Sequence, residues 1–392
     1  MKHITFTNEQ SENVVFDMGG LFELLKQIPD NRKAKGKRYP LPFLLSAMLL
    51  ARLSGEHTPT GITSWIRLRR SLLVEALPTT QYTAPSLNTI RRVLDHIISA
   101  DDLHKIFQQF LYLSYGGQQS VLITIDGKVL RGTIPSGKTQ GVHLLAAYLP
   151  EEGIVLAQVE VDNKKKENEI KAAPKLLQQL DMRGRVVSGD AMFTQRKLSV
   201  QIMAQGGDYL WFVKGNQPTL LGDVEQFFVP PRKAKGWSAP ALPQDIAQTI
   251  NKTRGRLEKR TITVMNDDTQ FIDWPGLSQV FKLERKVVTL RTGECTYEVV
   301  YGVTSISHKR ADASCLLDWT RNHWGIENGL HYRRDVTLKE DATRMSSTSQ
   351  ANVVATINNF IVGLAAKLGF TNLPTMLRMA DAKINLALFN YL

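Results

Sequence analysis

The stretch VLITID, residues 121–126, decides how the chain is read. Five aliphatic or β-branched residues lead into one carboxylate, the pattern of a buried strand closed by a polar group, here Asp126. Two runs of the same texture follow, HLLAAYL from His143 and IVLAQVEV from Ile154. The period then changes. Ile170, Ala173, Leu176, Leu177 and Leu180 recur at helical spacing and predict a helix over 168–180. RVVSGD makes a fourth strand ending at Asp190, a helix over 195–205 follows, and DYLWFV from Asp208 is a fifth strand.

The resulting order, β-β-β-α-β-α-β, predicts an α/β fold with a mixed sheet: three sequential antiparallel strands followed by crossovers is the topology of the ribonuclease H fold. Outward from that centre the texture differs. Residues 1–115 read as a separate helical domain, with an apolar run over 41–53, a Trp-containing stretch over 62–77, and a helix opened by Pro85 and Ser86. The first part of the ribonuclease H-like domain is expected over 116–215. Residues 216–305 read as a mostly β insertion, carrying the Pro230, Pro231 pair, the basic stretch RKAKGW and a second basic patch from Lys252 to Arg260. Residues 306–392 return to helix and complete the ribonuclease H-like domain.

Composition narrows the function classes. With 392 residues, 43% hydrophobic and 22% charged, the chain resembles a globular protein that folds without staples. The formal charge of +12 favours a polyanionic partner, nucleic acid or an anionic membrane surface. The apolar runs at 43–50 and 360–366 are far short of the roughly 20 residues a membrane span needs. MKHITFTNEQ lacks the apolar core of a secretory signal, so a cytosolic protein is expected. Cys295 and Cys315 are too few for a disulfide framework or a thiolate zinc site. Basic residues cluster in the N-terminal domain at 31–38, at 67–70, and at Arg91 and Arg92. Each cluster alone could be a solvated helix face; three in one small domain favour phosphate contact.

Asp126 and Asp190 each close a strand, and an Asp in that position is ordinarily a turn or cap residue. The topology changes their weight. First and fourth strands are neighbours in this fold, so the two side chains converge, and like charges that close call for a divalent cation. Oxygen ligands point to Mg²⁺ or Mn²⁺ rather than zinc. A third carboxylate is expected from the C-terminal helical region, with Glu327, Glu340 and Asp341 as candidates. Glu327 is preferred because His323, Glu327, His331 and Arg334 would share one helical face suited to a phosphodiester. Zinc held by His323, Glu327 and His331 fits the spacing but leaves the paired aspartates unexplained. Two metal ions would serve phosphodiester chemistry without a side-chain nucleophile. No GxSxG, Walker loop or GxGxxG between a strand and a helix supports a hydrolase triad or a nucleotide fold.

Several motifs together resemble one family: IDGKVLRG at 125–132, DNKKKENEI at 162–170, GDAMFTQR at 189–196, DYLWFVKGNQP at 208–218, HWGIENGLHYRRDVTLKEDATR at 323–344, and the N-terminal IPDNRKAKGKRYPL at 28–41. They are similar to the ISAs1 insertion-sequence transposases, also called H-repeat-associated proteins, within the IS4-like DDE group. That resemblance implies a Mg²⁺-dependent DNA transposase in which Asp126, Asp190 and Glu327 hold two metal ions. DNA contacts are expected from Lys128, Arg131, Lys214, Arg321, His323, His331, Arg334, Arg91 and Arg92. The group's Tyr, Arg, Glu, Lys signature is matched in part: Thr320 stands for the Tyr, His323 for the Arg and Arg334 for the Lys. The segment from Lys166 to Glu169 also recurs in the family. Implied partners are the element's terminal inverted repeats and target DNA, engaged by a homodimer. A DNA-binding relic acting as a repressor, and a metal-dependent nuclease without strand transfer, are the competing expectations.

Overall fold

The computed structural model describes residues 3–79, 83–116, 120–162, 167–229, 233–234, 237–238, 243–345 and 347–389. In chain order the elements are β1 (His3–Thr7), β2 (Asn13–Asp17), α1 (Met18–Leu25), α2 (Leu41–Leu53), α3 (Pro59–Leu68), α4 (Arg70–Ala76), α5 (Leu87–Arg92) and α6 (Ala100–Tyr115). Next come β3 (Leu122–Leu130), β4 (Val142–Leu149), β5 (Ile154–Val161), α7 (Glu169–Leu177), β6 (Val186–Gly189), α8 (Arg196–Ala204), β7 (Asp208–Val213) and α9 (Pro218–Phe227). Then follow β8 (Lys233–Ala234), β9 (Trp237–Ser238), β10 (Asp245–Thr253), β11 (Arg256–Asn266), β12 (Gln279–Thr289), β13 (Cys295–Thr304) and α10 (Ala313–His323). Two π-helical segments, Glu327–His331 and Arg333–Thr337, lead to α11 (Thr348–Lys367) and α12 (Leu373–Phe389). None of the described helices is long and apolar enough to cross a membrane. Lys166 and the RKAKGW stretch lie partly or wholly outside the described residues.

The chain forms two compact units, one from residues 1–119, 127–168 and 327–392, the other from 120–126 and 169–326. These units cut the chain differently from the boundaries expected from its sequence texture.

The second unit is built on a mixed sheet in the order β10-β11-β12-β13-β7-β6, with the first half of β3 at its end. β10 to β13 and the β13–β7 pair are antiparallel; β7–β6 and β6–β3 are parallel. The insertion therefore lengthens an existing sheet instead of forming a separate β body, and it opens on a helix, α9. Its strands qualify because their inward positions at the β7 end are apolar: Ile262, Val264, Phe281 and Val303 are buried. α10 lays Leu316, Leu317 and Trp319 over that surface, in one core with Leu210 and Phe212 of β7. Trp211 Nε1 donates to Ser199 Oγ on α8 at 3.0 Å, satisfying the indole where it is fully buried.

The first unit is mostly helical, with one departure from the expected all-helical N-terminus. β1 and β2 form an antiparallel hairpin, His3 opposite Asp17, that buries Ile4, Phe6 and Phe16. Alternation over five residues is a weak pattern, and its turn depends on Asn8, whose Oδ1 accepts from the backbone of Gln10 and Glu12 at 3.0 and 2.9 Å. β4 and β5 pair antiparallel in this unit, and Leu130, at the far end of β3, packs with Leu144. β3 thus continues past Asp126, where a strand end was expected, because Lys128 and Leu130 keep burying alternate positions. Gly132 is required just beyond: a Cβ there would lie 2.1 Å from the Thr343 carbonyl oxygen.

A polar network runs through the interior of the first unit. Arg334 Nε and Nη2 meet Glu340 Oε2 at 2.9 and 2.8 Å, with both side chains fully enclosed. Glu340 Oε1 accepts from Asn358 Nδ2 at 2.7 Å, and Asn358 Oδ1 accepts in turn from Arg52 of α2. Arg334 Nη1 also reaches Asn359 Oδ1 at 3.2 Å. Burial pulls Arg52 down to about 10, opposed by Glu340, so it stays charged at neutral pH. Such a network costs desolvation, and removing one charged member leaves its partner's charge buried and unpaired. Glu340→Ala or Arg334→Ala should therefore cost about 3–5 kcal/mol in urea unfolding, because each leaves a buried charge unpaired, whereas the Arg334→Met, Glu340→Leu double variant should lose less than either.

His57 borders this network and is pushed down to about 4, chiefly by burial and then by Arg52 and Lys339. Its unfolded value is near 6.5, so between about pH 6.5 and 4 only the unfolded chain holds that proton. Stability should fall as pH drops through that window, and His57→Gln should make the measured decline shallower.

Candidate active site

The parallel register of β3 and β6 places the site. Leu122, Ile123, Thr124 and Ile125 stand opposite Val186, Val187, Ser188 and Gly189. All eight are buried, so the polar residues that follow, Asp126 and Asp190, emerge side by side where the paired segment stops. β7 runs parallel on the other side of β6, Trp211 opposite Gly189, and delivers Lys214 just past its own end. Carboxyl ends of parallel strands are where open α/β sheets bind ligands, because the side chains there leave the close-packed ladder.

Asp190 opens the 3₁₀ turn Ala191–Phe193, its Oδ1 accepting from the Ala191 amide at 2.8 Å. Lys214 Nζ lies 3.2 Å from the same oxygen. Burial works against the charge, but the Ala191 N–H and the Lys214 ammonium outweigh it and hold the Asp190 carboxyl below the ordinary carboxylate range.

His323, the last residue of α10, is 4% exposed and pairs through Nδ1 with Ser188 Oγ at 3.0 Å. Its ring sits 4.8 Å from that of Phe212. Burial drives it down to about 4; Asp126 and Asp190 oppose this, and Lys214 adds to it. The imidazole is therefore neutral at physiological pH. His323 was expected as a DNA contact, cationic or hydrogen-bonding; apolar packing around the ring leaves only the uncharged form for that role. Ser188 was not singled out from sequence. A hydroxyl inside the apolar run VVSG was the available signal, because a buried Ser needs a partner. Arg321, on the last turn of α10, and Trp324 are exposed, and Trp324 lies 5.1 Å from His323 ring to ring.

The remaining expected residues lie in the first unit. Glu327 is exposed at the start of its π-helical segment. The α-helical face that was to align His323, Glu327, His331 and Arg334 does not form, since two successive π segments shift the side-chain period across this stretch. Arg334 is fully buried on Glu340, so its expected DNA contact is corrected as well. Lys128 is almost enclosed, with Nζ 2.5 Å from Asp335 and 3.5 Å from Asp341, and is likewise no surface cation. Burial, then the neighbouring Asp341 and Glu340, raises Asp335 against the pull of Lys128. Asp341 Oδ1 accepts from the Arg131 amide at 3.0 Å, while the Arg131 side chain stays exposed. His331 is partly buried, and Arg91 and Arg92 are exposed on α5.

Asp126 and Asp190 are thus brought together in one compact unit, and Glu327 belongs to the other. Among the described residues no group of three or more His, Cys, Asp or Glu is arranged to hold a metal ion. The paired carboxylates supply oxygen donors alone, and Lys214 shows that the position beside Asp190 accepts a cation; both suit a hard ion such as Mg²⁺.

Comparison with known proteins gives the family. The family described as "DDE_Tnp_1-associated" matches residues 22–111, and the family described as "Transposase DDE domain" matches residues 117–362. The chain is 28% identical over 351 residues to the "H repeat-associated putative transposase YhhI" of Escherichia coli (strain K12), covering 88% of this chain and 89% of that protein. It is 30% identical over 255 residues to the "H repeat-associated putative transposase YbfD" of the same strain, covering 65% and 97%. It is 34% identical over 270 residues to the "Uncharacterized protein in dhlA 3'region" of Xanthobacter autotrophicus, covering 68% and 87%. A solved structure titled "Cryo-EM structure of piggyBac transposase synaptic complex with hairpin DNA (SNHP)" aligns with a TM-score of 0.47 at 10% identity, over 100% of this chain and 84% of that one. A match spanning well over half of the residues, Asp126 and Asp190 included, shows that the chain belongs to the transposase DDE domain family.

Proposed function

We propose that this protein is a DNA transposase that cuts at the ends of an insertion sequence and joins the freed 3′-hydroxyls to target DNA. The observation that carries the proposal is the juxtaposition of Asp126 and Asp190 just past the last paired residues of the parallel strands β3 and β6, in a chain of this family. The element order β3, β4, β5, α7, β6, α8, β7 supports a ribonuclease H-like core around them. Two Mg²⁺ ions, when bound by Asp126, Asp190 and Glu327, would supply the Lewis acidity for phosphodiester cleavage and transesterification. Glu327 is favoured as third ligand because its rivals are engaged: Glu340 by Arg334 and Asn358, Asp341 by Lys128 and Arg131.

The chain's own groups then have defined work. Ionised Asp190, held in place by the Ala191 amide, presents an oxygen ready to coordinate. Ser188 fixes the His323 ring beside the carboxylates, where a neutral imidazole offers a hydrogen bond and adds no charge. Lys214, half exposed next to Asp190, is placed to balance charge until DNA enters and then to contact a phosphate. Arg131, Arg321 and His331 are proposed as further DNA contacts. Joining two ends to one target requires a pair of subunits on DNA, acting in the bacterial cytosol.

The test is a strand-transfer assay with labelled element ends. Asp126→Asn, Asp190→Asn and Glu327→Gln should each lower cleavage and joining by at least about a hundredfold, since even outer-shell partners of metal sites cost 10–100-fold, while DNA binding persists. Activity retained by Glu327→Gln would remove Glu327 from the ligand set. Wild-type protein that binds but neither nicks nor joins would mark a repressor, and products cut but never joined would mark a nuclease. Separately, Lys214→Ala should raise the Asp190 pKa in an NMR titration of metal-free protein, because one of the cationic groups stabilising its charge is gone.

A further inference from the structure

We infer that the first unit carries a second DNA contact, a pocket that seats a backbone phosphate of the duplex between the turn Ala34–Gly36 and helix α5. The cavity is about 380 Å³ and is lined by Arg32, Lys35, Arg38 and Arg92, with the hydroxyls of Ser86 and Thr89. The inference rests on the transposase reading and adds to it a phosphate site outside the carboxylate pair. Two basic clusters some 55 residues apart in sequence converge here, which their spacing alone did not reveal.

The pocket wall is strapped in place. Arg32 binds Asp30 with two parallel contacts, Nε to Oδ1 at 2.8 Å and Nη2 to Oδ2 at 2.7 Å, and also donates to the carbonyls of Gly36 at 3.2 Å and Tyr39 at 2.8 Å. Tyr39 Oη contacts Thr83 Oγ1 at 2.8 Å and donates to the Ala84 carbonyl at 3.0 Å, joining the turn to the segment before α5. Arg38 Nη2 donates to the same Thr83 hydroxyl at 3.2 Å. Asp30 therefore neutralises the bracing arginine, while Lys35, Arg38 and Arg92 are exposed around the cavity and no Asp or Glu is among its described lining residues.

Three cations held about one cavity repel one another, and a phosphate relieves that repulsion while releasing counterions from DNA. Guanidinium groups can fork onto phosphate oxygens, and the hydroxyls can donate to the same group. A contact of this kind carries no base information; it sets orientation on the duplex. Because the strap already orders the wall, little conformational entropy is lost on binding.

The experiment is fluorescence-anisotropy binding of the full chain to a short duplex of arbitrary sequence across a salt series, without metal so that no cleavage occurs. Arg92→Gln and Lys35→Gln should each lower the slope of log K against log salt by about one, and the two together by about two. Arg91→Gln tests the geometry, because Arg91 neighbours Arg92 in sequence but does not line the cavity; its slope should change by less. All three Gln variants alter exposed side chains, and an unchanged thermal midpoint shows that they fold. Equal losses from Arg91→Gln and Arg92→Gln would mean a diffuse basic face and overturn the pocket. So would an unchanged slope with wild-type binding intact, and either result would leave the proposed catalytic function standing. Wild-type protein that bound no duplex would overturn the transposase reading and the pocket with it.

Discussion

The register of two parallel strands sets where two carboxylates of this protein stand. Ile125 opposite Gly189 means that the next residue on each strand is a carboxylate, and a shift by one would turn one of them to the other face of the sheet. The register is held by residues with no part in the chemistry: the apolar runs of β3 and β6 are buried throughout their paired length, so any slip would drive Val186, Val187 or Ile123 out of the core. Two like charges are thereby fixed as neighbours by hydrophobic packing. At Asp190 the charge is answered in part by Lys214 and the Ala191 amide.

The same logic separates charged residues left at the surface from those enclosed in the fold. His323 and Ser188 sit behind the carboxylates in a packed layer with Phe212, where the ring is kept neutral by its surroundings. Arg334 and Glu340 neutralise each other inside the first unit, tied through Asn358 to Arg52 on a helix 282 residues earlier in the sequence than Arg334. A buried pair of this kind adds little net stability compared with apolar packing, yet breaking it is costly, so it restricts which arrangements of these helices can exist. Surface cations such as Lys35 and Arg92 bear no such constraint and are available to a partner.

Much of the core was legible because strand and helix periods differ. DYLWFV reads as a strand and is one over its whole length, and LPFLLSAMLLARL reads as a buried helix and spans α2 from end to end. What could not be read were interactions without a local pattern. The hairpin of β1 and β2 rests on an Asn side chain at its turn and on packing against distant helices. The π segments after Trp324 look α-helical in sequence, since residue spacing does not report hydrogen-bond register. The insertion reads as β but not as a continuation of the sheet, because edge-to-edge pairing of β13 with β7 depends on approach in space.

For the site, sequence by itself determined the residue types, the position of Asp190 at the end of its strand, and the family; Asp126 lies within β3, at the point where its pairing with β6 stops. Only tertiary structure decided which charges are in play. Arg334, Lys128 and His323 are all basic residues near acids in the same motifs, and nothing in their spacing distinguishes them from Arg131 or Lys214. Burial does: desolvation penalises an unpaired charge heavily, so an enclosed cation must be paired, as Arg334 and Lys128 are, or neutral, as His323 is. Burial is a property of what the rest of the chain packs around a residue, and no local stretch of sequence contains it.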